Sequence, residues 1–422
     1  MALRRILLAC LISAGLLTAQ TYDLLLKGGH VIDPANRIDR VTDVAVKGDR
    51  IARVAENIAA GEAKKTVDVS GLYVTPGLVD IHTHVYVKGR ASTLFPDDTS
   101  LLAGTTTVVD AGVSGWRNFD DFKKTIIDKS QTRVLAFLNI LGRGMSNDRL
   151  DENNVADMDP AAAAAKVKQY PDIIVGIKHA HFTLQGFDGL KRAVEAGRLT
   201  GKPVMVDLNI MSNSGRTTRE KLLDIMRPGD IHTHMYNDMH LEMLDRFTGK
   251  LQPYMVEARR RGVIFDMGHG GGGFLWTVAS KAMAQGFTPD SISTDLHPSS
   301  IMIPQVNMPN CISKLMALGM TLQDAILRAT VNPAREIKRF PELGTLSEGA
   351  GADIAVFDLK SGVFSLIDSA QKKLLANKKL ECLMTVRAGK IVNDVDGRSF
   401  PLWSAQNLTQ PPRYDFSLAG LK

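Results

Sequence analysis

The chain has 422 residues, 44% of them hydrophobic and 23% charged. That balance belongs to a folded globular protein and excludes a disordered, collagen-like or multispanning membrane chain. The formal net charge of +6 comes from scattered basic residues, densest at 259–261 and 372–379. Both runs read as solvated helix or loop faces, so nucleic acid is not an expected partner.

Residues 1–20 read as a leader. MALRR supplies a positive start, and ILLACLISAGLLTA is an apolar run of signal-peptide length, too short to cross a bilayer comfortably. Cleavage near Ala19-Gln20 is expected. The mature chain is then exported, most simply to a bacterial periplasm, with no membrane partner after cleavage. A lipoprotein site at Cys10 is set aside because it would truncate the apolar run. Cys311 and Cys382 remain, and two distant cysteines make neither a disulfide framework nor a zinc finger.

Residues 22–74 carry short β-type segments, among them YDLLLKGG, HVIDP, TDVAVKGDRIARVA and KTVDVSGLYV. Each alternates and is bounded by Gly, Asp or Pro. The same texture returns in GTLSEGAGADIAVFDL, CLMTVRAGKIVND and VDGRSF. Strand-rich ends predict one β-sandwich assembled from both termini.

Between the ends, eight apolar runs alternate with helical stretches: LYVTPGLVDIHTH, TTTVVDAG, RVLAFLNI, DIIVGIKHA, PVMVDLN, DIHTHMY, GVIFDMGHG and SISTDLH. The helical stretches include FDDFKKTIIDKS, DPAAAAAKVKQY, FDGLKRAVEAGRLT, TTREKLLDIM, LQPYMVEARRR and FLWTVASKAMAQ. This alternation predicts an α/β chain with a (β/α)8 TIM barrel. An open doubly wound sheet would carry a Gly-rich fingerprint in its first βα unit, and none is present. The expected organisation is a leader at 1–20, a β-sandwich from 21–75 and 344–400, a barrel at 76–343, and a Pro- and polar-rich tail at 401–422.

The 10 histidines include three His-x-His pairs: His82/His84, His179/His181 and His232/His234. Chance would give roughly a quarter of one such pair, and strand residues i and i+2 share a face. A single histidine is more often an ordinary core or surface residue. His82 and His84, however, end an apolar strand, where barrel active sites lie, and two imidazoles on one face chelate a metal such as Zn²⁺. Lys178 ends the fourth strand after an apolar run. It either snorkels outward or points inward with a depressed pKa, able then to react with CO₂ and give a metal-bridging carbamate. The remaining strand ends offer Asp207, His232 and His234, His269, and Asp295.

This set, with PGLVDIHTH, GTTTVVDAG, ATVNPAR at 329–335 and GADIAVFDL, resembles the amidohydrolase superfamily. Within it, GIK, MGHGGGGF and STDLH resemble the dihydroorotase-like and D-aminoacylase-like amidohydrolase/deacetylase subgroup. The resemblance implies that His82 and His84 bind the more buried of two divalent ions, expected to be Zn²⁺. Carbamylated Lys178 bridges both ions, and His234 binds the second. Asp295 binds the first and shuttles a proton. His269 orients substrate or supports the site, and His232 is packing or support. The pattern has a histidine where this chain has Asp207. Aspartate can ligate through oxygen, but the second site could then be weaker or empty, leaving a single ion. His179 or His181 could compensate, although strand alternation puts His179 opposite Lys178. Arg143 and Arg149 are candidates for a substrate carboxylate.

The expected function is hydrolysis of an amide or ester bond in a small acyl compound, of the N-acyl amino acid deacetylase type, by a metal-activated hydroxide. A cyclic amidase of dihydroorotase or hydantoinase type needs the same groups. A non-catalytic binding protein on the same fold is motivated by Asp207 alone. Members of the superfamily are often homo-oligomers, and the sequence leaves the oligomeric state open.

Overall fold

The computed structural model describes residues 20–89, 93–146, 151–182, 184, 186–207, 219–237, 243–302 and 304–405. Residues 1–19 of the expected leader, Arg149 and most of the expected tail therefore lie outside the described residues.

The N-terminal strands are β1 (Tyr22–Asp33), β2 (Ile38–Lys47), β3 (Arg50–Ala55), β4 (Ala63–Asp68) and β5 (Tyr73–Pro76). YDLLLKGG and HVIDP form the single strand β1, because an irregularity between Leu26 and Gly29 keeps pairing with β2 intact. The barrel strands follow: β6 (Leu78–Thr83), β7 (Thr105–Gly115), β8 (Arg133–Asn139), β9 (Ile174–His179), β10 (Val204–Val206), β11 (Ile231–His232) and β12 (Ile264–Phe265). They pair in parallel and in sequence order. The eighth run, SISTDLH, makes no regular strand. It still closes the ring, because His269 N donates to Ser293 O, Met267 N to Ser291 O and His84 N to Leu296 O.

Helices α1 (Phe119–Phe122), α2 (Pro160–Gln169), α3 (Asp188–Thr200), α4 (Arg219–Ile225), α5 (Pro253–Arg260) and α6 (Trp276–Ala284) lie between the strands. They are followed by α7 (Pro298–Met302), α8 (Met308–Ala317), α9 (Leu322–Ala329) and α10 (Val331–Glu336). Their ends follow local chemistry. Asp159 caps α2 by accepting from Ala161 N and Ala162 N, with Pro160 in the first turn. Thr321 caps α9 through Asp324 N. Strands and helices pack into a core that includes Val134, Ile174, Leu190, Val204, Phe265 and Ile312.

The last strands, β13 (Ile354–Ile367), β14 (Lys373–Arg387) and β15 (Lys390–Asp394), join the N-terminal ones in one eight-stranded sheet, ordered β15-β14-β13-β5-β1-β2-β3 with β4 on β1. The chain ends meet where β5 pairs antiparallel with β13. This small domain has its own core, which draws Leu24, Val44 and Val74 from one end and Ile354, Val356 and Met384 from the other. Two expectations are corrected. Residues 373–379 lie on strand β14 rather than on a helix or loop face, because β13 extends alongside them. VDGRSF forms turns, with Arg398 N and Ser399 N both donating to the Asp394 carboxylate.

The β13–β14 hairpin reaches back to the barrel. Ser369 N donates to Phe274 O, and the Asp368 carboxylate accepts from Trp276 N. This contact braces the glycine run at 270–273 from behind. On the other side, buried Asp353 joins Arg133 of β8 to Arg387 of β14 at 2.6 and 3.0 Å.

Candidate active site

The polar ends of the barrel strands converge beneath one cleft. β6 delivers His82, and the residue just past its end is His84; both are buried. His84 Nε2 lies 2.8 Å from Asp295 Oδ1, and His82 Nε2 lies 3.5 Å from the same oxygen. Donor atoms of His82, His84 and Asp295 all fall within 4.8 Å of one another.

A hydrogen-bond relay sets the His82 ring. Thr233 donates its hydroxyl to Asp266 Oδ2 at 2.7 Å, so it accepts from His82 Nδ1 at 2.9 Å. Ser291 and Ser293 also donate to Asp266. The proton is thereby fixed on Nδ1, and Nε2 offers its lone pair to the cluster.

Lys178 ends β9 pointing into this cluster, fully buried, with Nζ 3.3 Å from His82 Nε2. Burial pulls its amine below the ordinary lysine range, against the pull of Asp207 and Asp295. The opposite wall comes within van der Waals reach only because residue 112 is glycine: a Cβ there would sit 2.6 Å from Lys178 Cγ. Its φ of +88° also suits glycine.

Asp295 and His234 sit in left-handed backbone, with φ of +47° and +56°. Burial pushes the Asp295 carboxyl up, but the facing His82, His297 and His84 outweigh it and hold the group well below the usual carboxylate range. Its Oδ2 faces Gly270, where a Cβ would meet it at 1.9 Å, and lies 3.8 Å from His297 Nε2.

The other side of the cleft is built from Asp207, His234 and His181. His234 Nδ1 bonds Gly268 O, which turns Nε2 toward Asp207 Oδ2 at 3.4 Å. Burial alone would lower the His234 pKa, but Asp207 reverses this and raises it to about 9. His181 Nε2 lies 3.6 Å from the same Asp207 oxygen. These groups, with Gly271–Gly273, His297 and Ser299, line a cavity of about 490 Å³.

Among the described residues, His84 Nδ1 and Asp207 Oδ1 are buried here without a hydrogen-bond partner, as is Glu152 Oε2 behind His181. Imidazole nitrogens and carboxylate oxygens of this kind suit a divalent ion. The donor set therefore fits the metal that the sequence implies.

Comparison with known proteins gives the family and the fold. The chain is 32% identical over 336 residues to a deacetylase of Agrobacterium fabrum, covering 78% of this chain and 81% of that protein. The chain belongs to the amidohydrolase family. The family's sequence profile matches residues 276–392. A deacetylase of Enterococcus faecalis is 28% identical over 379 residues, 88% of this chain and 100% of that protein. Among solved structures, an adenine deaminase superposes with a TM-score of 0.81 at 28% identity, covering 88% of this chain and 100% of its own. A dihydroorotase superposes with 0.77 at 27% identity, covering 88% and 99%. The protein is thus a hydrolase of carbon–nitrogen bonds, built on the amidohydrolase barrel. The family generally works with a divalent metal, and the His82, His84 and Asp295 cluster fits one.

The structure brings His82, His84, Lys178, Asp207, His234 and Asp295 of this amidohydrolase together. It does not bring His269 to the cleft. His269 is fully buried, stacked on Phe274, with Nδ1 at Gly270 O and Nε2 2.7 Å from Lys314 Nζ. Both ring nitrogens are engaged behind the glycine run, and His269 does not line the cavity. His232 is also buried, against Phe265. Arg143 is exposed and does not line the cavity. His179 points away from Lys178 toward Gly189 of α3 and Met158, as alternation requires.

The relay residues Thr233 and Asp266, and His297 and Glu152, were not anticipated from sequence. His297 had a signal, standing two residues past Asp295. Glu152 had none, because its partner His181 lies in a different loop.

Proposed function

We propose that this amidohydrolase is a zinc-dependent deacylase that removes the acyl group from an N-acyl amino acid or a related small acyl compound. The observation that carries the reading is the convergence of His82 and buried Lys178 on His84 and Asp295, which line a cavity sized for a small molecule. Deacetylase-named relatives covering most of the chain support it.

His82 and His84 would hold the ion through nitrogen, and Asp295 through oxygen. Lys178 would join them as a carbamate, which its depressed amine favours. Bound there, a divalent metal supplies a water nucleophile at neutral pH and polarises the scissile carbonyl. Asp295 is then the proton carrier. Its Oδ1 is engaged by His84, while Oδ2 lies between Gly270 and the cavity-lining His297, where it would take a proton from the attacking water and pass it to the leaving amine. The glycines at 271–273 leave room for the acyl group beside this carboxylate.

The same groups would open a cyclic amide, a reading favoured by the dihydroorotase structural neighbour. A panel of N-acetyl amino acids, dihydroorotate and hydantoins separates the two. Turnover of N-acetyl amino acids is the expected result, and ring opening alone would overturn the deacylase assignment. We infer also that residues 1–20 direct export to the periplasm. N-terminal sequencing of the secreted protein should begin near Gln20, and a cytoplasmic chain retaining Met1 would refute this.

A further inference from the structure

We propose that His181, oriented by Glu152, completes a second divalent-metal position with Asp207 and His234. The proposal rests on the metal-hydrolase reading above, and it concerns the half of the site where the sequence departs from the expected histidine.

Two imidazole nitrogens are aimed at one carboxylate oxygen. His181 Nε2 and His234 Nε2 stand 3.6 and 3.4 Å from Asp207 Oδ2. These separations are long for hydrogen bonds, which centre near 2.9 Å. They are close to the spacing of neighbouring donors around a tetrahedral ion, about 3.3 Å for metal–ligand bonds of 2.0–2.1 Å. Each ring has its other nitrogen engaged. His234 Nδ1 faces Gly268 O, and His181 Nδ1 lies 2.9 Å from Glu152 Oε2. An imidazole with Nδ1 set against a carboxylate has Nε2 turned the opposite way, the arrangement that orients metal ligands.

Three further observations point the same way. Asp207 Oδ1 is buried and has no hydrogen-bond partner. Glu152 is a buried carboxylate, with Oε1 accepting from Ser146 N, while Oε2 lies 2.9 Å from His181 Nδ1 and has no aligned hydrogen-bond partner of its own. His181 adopts φ +57°, as His234 and Asp295 adopt +56° and +47°. Left-handed backbone at three histidine and aspartate residues of one cleft marks positions where side-chain direction outweighs local comfort. The side chain of His181 is 32% exposed, so it can be removed without opening a core cavity.

The test uses the full mature protein, stripped with a chelator and titrated with Mn²⁺, with bound ions counted by electron paramagnetic resonance. The wild type should bind two Mn²⁺ and give a spin-coupled signal. His181→Ala should bind one, with an uncoupled spectrum and the remaining affinity changed less than about threefold. Glu152→Gln should keep two ions but weaken the second about 10–100-fold. Adding Asp207→His to His181→Ala should restore the second ion. A second Mn²⁺ bound by His181→Ala with wild-type affinity would overturn the proposal. So would one ion in wild type and variant alike, which leaves the hydrolase reading standing on His82, His84 and Asp295. Two ions without turnover of any acyl or cyclic amide would instead sink the deacylase reading and support the His181 assignment.

Discussion

The two halves of the cleft reach similar chemistry by different means. On one side His82, His84 and Asp295 are held by the closed barrel, and the His82 ring is fixed through Thr233 to Asp266, which is itself held by two serines from the eighth segment. Every partner there is distant in sequence and buried. On the other side Asp207 stands just past the end of the short strand β10, and its neighbour His181 is placed by a loop and a local carboxylate. The difference teaches that a strand-borne site resists substitution of its donors, whereas a loop-borne one can exchange a donor if a nearby chain segment supplies another.

The largest expected effect breaks the comparison most directly. Asp295→Asn should lower kcat/KM on the responsive N-acyl amino acid by about 10³-fold, because the proton carrier is lost. His181→Ala should cost less, about 10–100-fold. Equal losses from the two would mean that the halves are equivalent. Next, Lys178→Ala should weaken metal binding by about 100-fold, and loading the wild type in CO₂-free buffer should mimic part of that loss. Indifference to CO₂ would argue against a carbamate at Lys178. A smaller effect sharpens the view of the strand-borne half. Thr233→Val should cut affinity for the tighter ion about tenfold by freeing the His82 ring, with the second ion untouched. Loss of both ions together would show that the halves are not separately held.

The smallest effect lies behind the site. Burial lowers the Lys314 amine to about 8. The unfolded chain keeps that proton to about pH 10.4, so between about pH 8 and 10 the unfolded state binds more protons and stability rises with pH. Below about pH 8 the buried charge burdens the fold, by about 3 kcal/mol at most. Lys314→Met should flatten this rise in urea midpoints, with little change in metal content. A wild-type curve already flat across that window would remove lysine titration from the account.

Much of this was legible in the chain because it is written in periodicity and spacing. The barrel strands declared themselves as apolar runs between amphipathic stretches, and His82, His84, Lys178, His234 and Asp295 stood at their ends. The eighth run was legible as a segment but not as an irregular one, since its serines and threonine spend their bonding capacity on Asp266 and Asp80. His269 carried the same local signature as a cleft residue. Only the tertiary contact with Lys314 and Phe274 reveals that it faces the helix layer. The 373–379 run looked like a solvated surface and is one, but on a strand, because pairing with β13 is a long-range fact that no local charge pattern encodes. His181 was visible as half of a His-x-His pair, yet its direction depends on left-handed backbone and on Glu152 from another loop.

The pairing of β5 with β13 has a consequence for how the protein is made. Pro76 meets Ile354, so roughly 280 residues of barrel must leave the ribosome before β5 finds its neighbour. At 5–20 residues per second, that is an interval of roughly 15–60 s. Throughout it the nascent N-terminal strands present an open edge of unpaired amides and carbonyls, next to apolar side chains that wait for Ile354 and Val356. The small domain therefore needs shelter during synthesis, and its closure waits for the last quarter of the chain.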